Sequence, residues 1–208
     1  MIQTTLLTSH KGVDLHAATA VRVMQRRLAT GKALRALYRC ELHTFTAADG
    51  RELAAELLGR GRYYNPNKHH YGHFELAPPA GDWRDAASLR GGELAAAWPG
   101  QPVGSDFVPV PADLADRLLG GPVPPGCVAA DVVSLPLGES GPVLSGVLWR
   151  LILIADDQDP RRLAESLAVV RSGEQGLLLN PHQEGWLLAV RGGPESDGTS
   201  TANRKELR

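Results

Sequence analysis

Residues Arg60-Gly61-Arg62-Tyr63-Tyr64-Asn65-Pro66-Asn67-Lys68-His69-His70-Tyr71-Gly72-His73 concentrate the chemistry of this chain, with three of its seven histidines and three of its four tyrosines. Three chemistries compete for this stretch. Histidines are metal ligands, and on a helix His69 and His73 would share one face at i,i+4. The Asn-Pro turn, Tyr71 and Gly72 point to a strand instead, on which positions four apart lie about 13 Å from each other. One zinc ion, with Zn–N near 2 Å, cannot reach both. A zinc site would then draw on His70 or His73 with His43 from a neighbouring strand, and the chain would be a metal- or histidine-dependent enzyme centred on His43, His70 and His73. The second chemistry is anion recognition. Arg62 and Lys68 supply charge, Tyr63, Tyr64 and Tyr71 supply stacking surface, and Asn65 and His70 supply polar contacts to a small anionic ligand or RNA. The third is structural: Tyr and His suit a half-buried edge strand, with rings on the core and polar tips in water.

Other reactive residues are more dispersed. Arg39 and Arg150 follow Leu37-Tyr38 and Leu148-Trp149 and would form a symmetric pair of anion sites on a sheet. Along a strand face such arginines also pair with carboxylates such as Glu41. Asn65 and Asn180, each followed by Pro, would shape ligand loops or simply turns. Cys40 reads as a buried small hydrophobe, and Cys127 has no histidine near it in sequence to activate it. No GxSxG elbow surrounds Ser134, Ser140 or Ser145, and no GxxxxGK[ST] phosphate loop occurs.

These residues need elements to hold them. Ile2–Thr8 suits a strand. Asp14 can cap a helix running through Ala17, Val21, Met24 and Leu28, which Gly31 ends. Ala33–Thr46 alternates as a strand, with Tyr38, Cys40, Leu42 and Thr44 on one face and Leu37, Arg39, Glu41 and His43 on the other. A second helix carries Leu53, Ala54, Leu57 and Leu58 until Gly59. Arg62–Tyr64 and His70–Leu76 read as strands around the Asn-Pro turn. The order is β-α-β-α-β-β or, with the short piece merged, β-α-β-β-α-β.

An internal repeat follows from three ordered matches. Leu37-Tyr38-Arg39 matches Leu148-Trp149-Arg150, the run Arg51–Leu57 matches Arg161–Leu167, and Tyr64-Asn65-Pro66 matches Leu179-Asn180-Pro181. The second copy would begin with a strand at Val103–Val110 and a helix at Ala112–Leu119. The expected fold is α+β: two ferredoxin-like (βαββαβ-type) halves related by an internal pseudo-twofold. Residues 1–77 would form the first half, 78–102 an Ala/Gly/Pro-rich connector with a short helix at Gly92–Ala97, 103–191 the second half with a long loop at 120–142, and 192–208 a flexible tail.

The run from Gly12-Val13-Asp14 to Leu28, with Leu57-Leu58 ahead of Asn65-Pro66 and a later Asn180-Pro181, resembles the PurS family, the small subunit of phosphoribosylformylglycinamidine synthase. That family is a small βαββαβ ferredoxin-like domain, here apparently doubled. The resemblance implies a non-catalytic bridging subunit that packs between an amidotransferase and a synthetase, and allows a homo-oligomer. The Pro that follows the matching Asp in the family is missing after Asp14.

The 208 residues are 43% hydrophobic and 22% charged with a formal charge of -1, as expected of a folded globular chain. That balance removes the signature of a general nucleic-acid binder, though not a local basic patch. The longest apolar run, Val143–Ala155, is too short for a membrane span and contains Arg150. Met1–Gly12 lacks a charged-then-apolar leader pattern and two cysteines make no disulfide framework, so a cytoplasmic location is expected.

Overall fold

A computed structural model describes residues 2–47, 50–59, 61–76, 102–103, 106–107, 112–136, 143–156 and 158–192. Its elements are β1 (Ile2–His10), α1 (Leu15–Arg27), β2 (Leu34–Ala47), α2 (Gly50–Gly59), β3 (His69–Leu76), β4 (Pro102–Val103), β5 (Asp106–Phe107), α3 (Ala112–Leu118), β6 (Val128–Pro136), β7 (Val143–Leu153), α4 (Pro160–Ala168) and β8 (Glu184–Gly192). The protein is α+β. One six-stranded sheet runs in the order β3-β1-β2-β7-β6-β8, with every neighbouring pair antiparallel. A separate ribbon pairs β4 with β5. Among the described residues no helix is long and apolar enough to cross a membrane.

Local chemistry sets the helix starts. Asp14 caps α1, its Oδ1 accepting from the amides of His16 and Ala17 at 2.8 and 3.2 Å. Asp159 does the same for α4, accepting from the Arg161 amide at 2.9 Å with Pro160 in the first turn. Helices α1, α2 and α4 pack on one face of the sheet. Ala17 and Met24 of α1, its C-cap residue Leu28, and Leu163, Ala164 and Leu167 of α4 meet Leu37, Ala130, Val132, Trp149 and Leu151 there. Leu57 of α2 meets Leu6 and Phe45. The opposite face is covered by α3, whose Leu114, Ala115 and Leu118 pack on Leu7, Cys40, Leu42, Val133, Leu135 and Leu148.

Charge is buried under α3. Arg150 is fully buried on that face of β7. Its Nε and Nη2 donate to the two carboxylate oxygens of Asp131 at 2.7 and 3.0 Å, and its Nη1 donates to Asp116 of α3 at 2.6 Å. Arg191 of β8 lies 3.2 Å from Asp131. Burial opposes the Arg150 charge, but the bonds and fields of Asp131 and Asp116 outweigh it and leave the guanidinium pKa above the ordinary arginine value.

The two halves have the same order of strand, helix, Asn-Pro turn and strand, in β2-α2-β3 and β7-α4-β8. Their turns use one hydrogen-bond pattern. The Asn65 carbonyl accepts from the Lys68 and His69 amides and its side chain from the Asn67 amide. The Asn180 carbonyl accepts from Gln183 and Glu184 and its side chain from His182.

Several expectations are corrected. Among the described residues each half contributes three strands to the shared sheet, not the four of a βαββαβ unit. Arg62–Tyr64 is a bend rather than a strand, because Gly61 turns the chain with a φ of 66° and Asn65-Pro66 turns it again. The loop expected at 120–142 contains β6, an inner strand buried along Ala129–Leu135. Its flanking Gly and Pro residues resemble loop composition, but Val128–Pro136 is apolar because helices lie on both sides of it. Of the strand expected at Val103–Val110, the described residues show only the short pieces β4 and β5, and 104–105 and 108–110 lie outside them. Between β6 and β7 the connection 137–142 is too short for a counterpart of the 13-residue α1. The connector from 78 to 101, the helix at Gly92–Ala97 and the tail from 193 onward lie outside the described residues.

The expected repeat is one residue out of register at its first match. A twofold axis normal to a sheet exchanges residues on one face only. Arg39 points to the face of α1, α2 and α4, whereas Arg150 points to α3, so they are not a symmetric pair. Arg39 lies directly opposite Trp149, and its guanidinium carbon sits 5.8 Å from that ring's centroid. Exchanging Arg39 with Trp149 keeps the spacing that relates Arg51 to Arg161 in the helices.

Candidate anion-binding cleft

The end of β1 and the start of β3 bring the chemically active residues together. His10 and His69 are cross-strand partners whose rings meet edge to face at 5.0 Å. The Lys11 amide donates to the Lys68 carbonyl at 2.8 Å, and its Nζ donates to the Pro66 carbonyl at 2.6 Å. These bonds clamp the Asn-Pro turn onto β1. Tyr64 leaves the turn and meets Tyr71 of β3 edge to face at 4.9 Å.

A cleft of about 440 Å³ opens here, lined by Lys11, Tyr64, His69, His70, Tyr71, Arg117 and Leu118. Arg117 arrives from α3. The helix can come this close because β3 has Gly72 beneath it, where a Cβ would collide with Leu114 and Leu118. A smaller recess of about 260 Å³ shares Leu118 and adds Ser9, His10, Asp14, Tyr38 and Arg39.

Among the described residues that line the larger cleft there is no carboxylate. Burial, followed by the fields of His10 and Lys68, holds His69 below the usual histidine pKa, against an upward pull from Glu41. The ring is neutral near pH 7. Its Nδ1 accepts from the Asn65 amide at 3.4 Å, which puts the proton on Nε2 as a donor. Lys11 and Arg117 bring basic side chains to the lining, and two tyrosine rings lie alongside.

The sequence-predicted ligand residues divide between locations. Tyr64 and His70 line the cleft, and Asn65 and Lys68 build the turn that frames it. Tyr63 instead packs on the opposite face, 4.8 Å from the His43 ring and 5.2 Å from Phe45, and Arg62 stacks over it at 5.2 Å. Arg39 is half-buried, 3.8 Å from Asp14 and 3.3 Å from Glu41, and borders the smaller recess. Arg150 is locked under α3. Asn180 heads β8 at the far edge of the sheet from β3. Lys11, Arg117 and the ligand-facing place of His69 were missed. Arg117 reaches the cleft only through helix packing, which no local spacing encodes.

The metal set His43, His70 and His73 is not assembled. His43 and His73 are both partners of Leu6, two strand spacings apart, or about 10 Å. His70 pairs with Ser9 and faces the other side of the sheet. Among the described residues no group of three His, Cys, Asp or Glu side chains could hold an ion. His43 Nδ1 is hydrogen-bonded to Ser145 Oγ at 2.9 Å across the β2–β7 pair, and burial holds its pKa down despite Glu41. Cys40 is buried, and desolvation pushes its thiol up to about 12, which leaves it protonated and inert.

Comparison with protein-family models, curated proteins and solved structures gave no match.

Proposed function

We propose that this chain is a non-catalytic binding module whose cleft beside β3 takes a small anionic ligand carrying an aromatic ring. One observation carries the reading: Lys11, Arg117, His69 and His70 converge with Tyr64 and Tyr71, with no carboxylate among the described lining residues. Cations fixed in a partly enclosed space attract an anion more strongly than free surface charges do. Tyrosine faces add stacking on any planar ring. The volume, about 440 Å³, suits a small molecule. A nucleoside monophosphate is the probe, titrated by calorimetry against the bare nucleoside and inorganic phosphate. Binding of the monophosphate that falls about tenfold or more in Lys11→Glu and in Arg117→Glu supports the reading, as each loses a charged contact. Equal binding by these variants refutes it. Tight binding of a single-stranded RNA at about 50 mM salt, with none of the monophosphate, transfers the site to RNA.

The architecture fits two copies of one strand–helix–strand unit. In this reading each half is a ferredoxin-like unit short of one edge strand, and the other half's β2 or β7 fills the vacated edge. The identical Asn65 and Asn180 turns support it. A second role, the bridging subunit that the PurS resemblance implies, is favoured by apolar side chains left in water. Val13 and Leu15 at the start of α1 are 77% and 74% exposed. Co-elution with an amidotransferase or synthetase supports bridging; a monomer that ignores such extracts refutes it.

A further inference from the structure

We infer that the groove along α1 seats an acidic amphipathic helix of a partner protein. The inference rests on the bridging reading and adds the chemistry of the partner. A groove of about 500 Å³ runs between α1 and the segment Leu177–Leu178, with Trp149 as its floor. Its α1 wall is Leu15, Thr19 and Val23 with His16 and Ala20. These positions recur every three to four residues and form one stripe. A second helix laid alongside would set its own i,i+4 ridge into that row.

Charge selects the occupant. The sequence of α1 contains no Asp or Glu, while Arg22, Arg26 and Arg27 are exposed. Arg26 and Arg27 extend the same stripe beyond Val23 at the helix's C-terminal end. Across the groove, Arg171 holds Glu165 at 3.3 Å, while the Glu174 backbone carbonyl accepts from the Ala29 amide at 3.3 Å and its exposed carboxylate sets one negative charge against the three arginines of α1. The free charge on the α1 wall is therefore positive, and an apolar stripe with a cationic end calls for leucines followed by glutamates. The 13 residues of α1 span about 20 Å, which asks for a partner helix of three to four turns.

The test is fluorescence anisotropy of two labelled 14-residue peptides with the full chain. Both carry leucine every third or fourth position, one with glutamate between and one with lysine. The glutamate peptide binds the wild-type chain and the lysine peptide does not. Arg26→Glu/Arg27→Glu weakens the glutamate peptide about tenfold or more and admits the lysine peptide. Thr19→Arg, at an exposed position, blocks the groove without touching the core and abolishes binding of the glutamate peptide. Absence of binding to wild type, or equal binding of the two peptides, overturns the inference. So does self-association or binding of anionic vesicles that Thr19→Arg removes, because the occupant is then a second copy or a lipid. The bridging reading falls separately: a partner protein retained by Thr19→Arg refutes the groove alone, whereas a chain that recruits no partner refutes bridging.

Discussion

Replacing Arg150 by Met tests whether the buried charges hold α3 to the sheet. The guanidinium is fully buried and makes three charge-assisted bonds, to both oxygens of Asp131 and to Asp116. At about 1.5–3 kcal/mol each the bonds sum to roughly 5–9 kcal/mol, but burying both charges cancels much of that. The net worth of the pair is small; the cost of orphaning one partner is not. Met fills most of the volume and leaves Asp131, whose side chain is 1% exposed, with Arg191 at 3.2 Å. Loss of about 3–5 kcal/mol follows, softened toward the lower value by Arg191. With a urea m-value near 2 kcal/mol/M, the unfolding midpoint falls by about 1.5–2 M. Adding Asp131→Leu removes the orphaned carboxylate, so the double variant is more stable than the sum of the single losses by about 2 kcal/mol. A single-variant loss under about 1 kcal/mol, or strict additivity, refutes the reasoning.

Two further outcomes follow from buried titrating groups. Cys40, with its thiol held up to about 12, escapes iodoacetamide in the native chain and reacts only on unfolding; native-state labelling at Cys40 on a peptide map would contradict its burial. Burial holds His43 below the usual histidine value, so the unfolded chain takes up the proton first as the pH drops through about 6.5. The stability gained from a neutral His43 is complete above that pH and is lost as the pH falls toward the folded value. Urea midpoints from pH 7.5 to 5 decline less steeply in His43→Gln, which keeps an acceptor for Ser145. An unchanged slope refutes this assignment. His69 has the same sign and retains part of the decline.

Sequence periodicity revealed the elements whose signals are local. Asp14 caps α1 as expected, and the faces of β2 alternate as read, with Cys40 and Leu42 beneath α3 and Leu37 beneath α1. The turn shared by Asn65 and Asn180 was visible because an Asn side chain closes it within three residues. What escaped depends on distance. β6 reads as loop because its buried character comes from α3 on one face and α4 on the other, while its ends are rich in Pro and Gly. The arginine match failed through one residue of strand register, since a period of two sends Arg39 and Arg150 to opposite faces. His43, His70 and His73 looked like neighbours only while the pleat was ignored. The cleft was half legible: Tyr64 and His70 belong to the stretch that stood out, but Arg117 enters from α3, which begins 39 residues after His73, and is placed by packing alone.

Stability and the proposed binding site meet on α3. Asp116 and Arg117 are consecutive, and on a helix consecutive side chains point about 100° apart. Asp116 reaches inward to Arg150, while Arg117 reaches the cleft with Lys11. Gly72 sets how near the helix comes to β3, and the Arg150–Asp116 bond fixes its rotation over the sheet. A cationic side chain on a free helix would sample many positions; here the neighbouring residue is anchored to a fully buried arginine. The buried charge network therefore gives the cleft a positioned cation as well as giving the sheet its cover. This explains why an ion network of little net stabilising worth can sit at the centre of the α3 face. It makes the helix dock in one orientation, and that orientation brings the positive lining together.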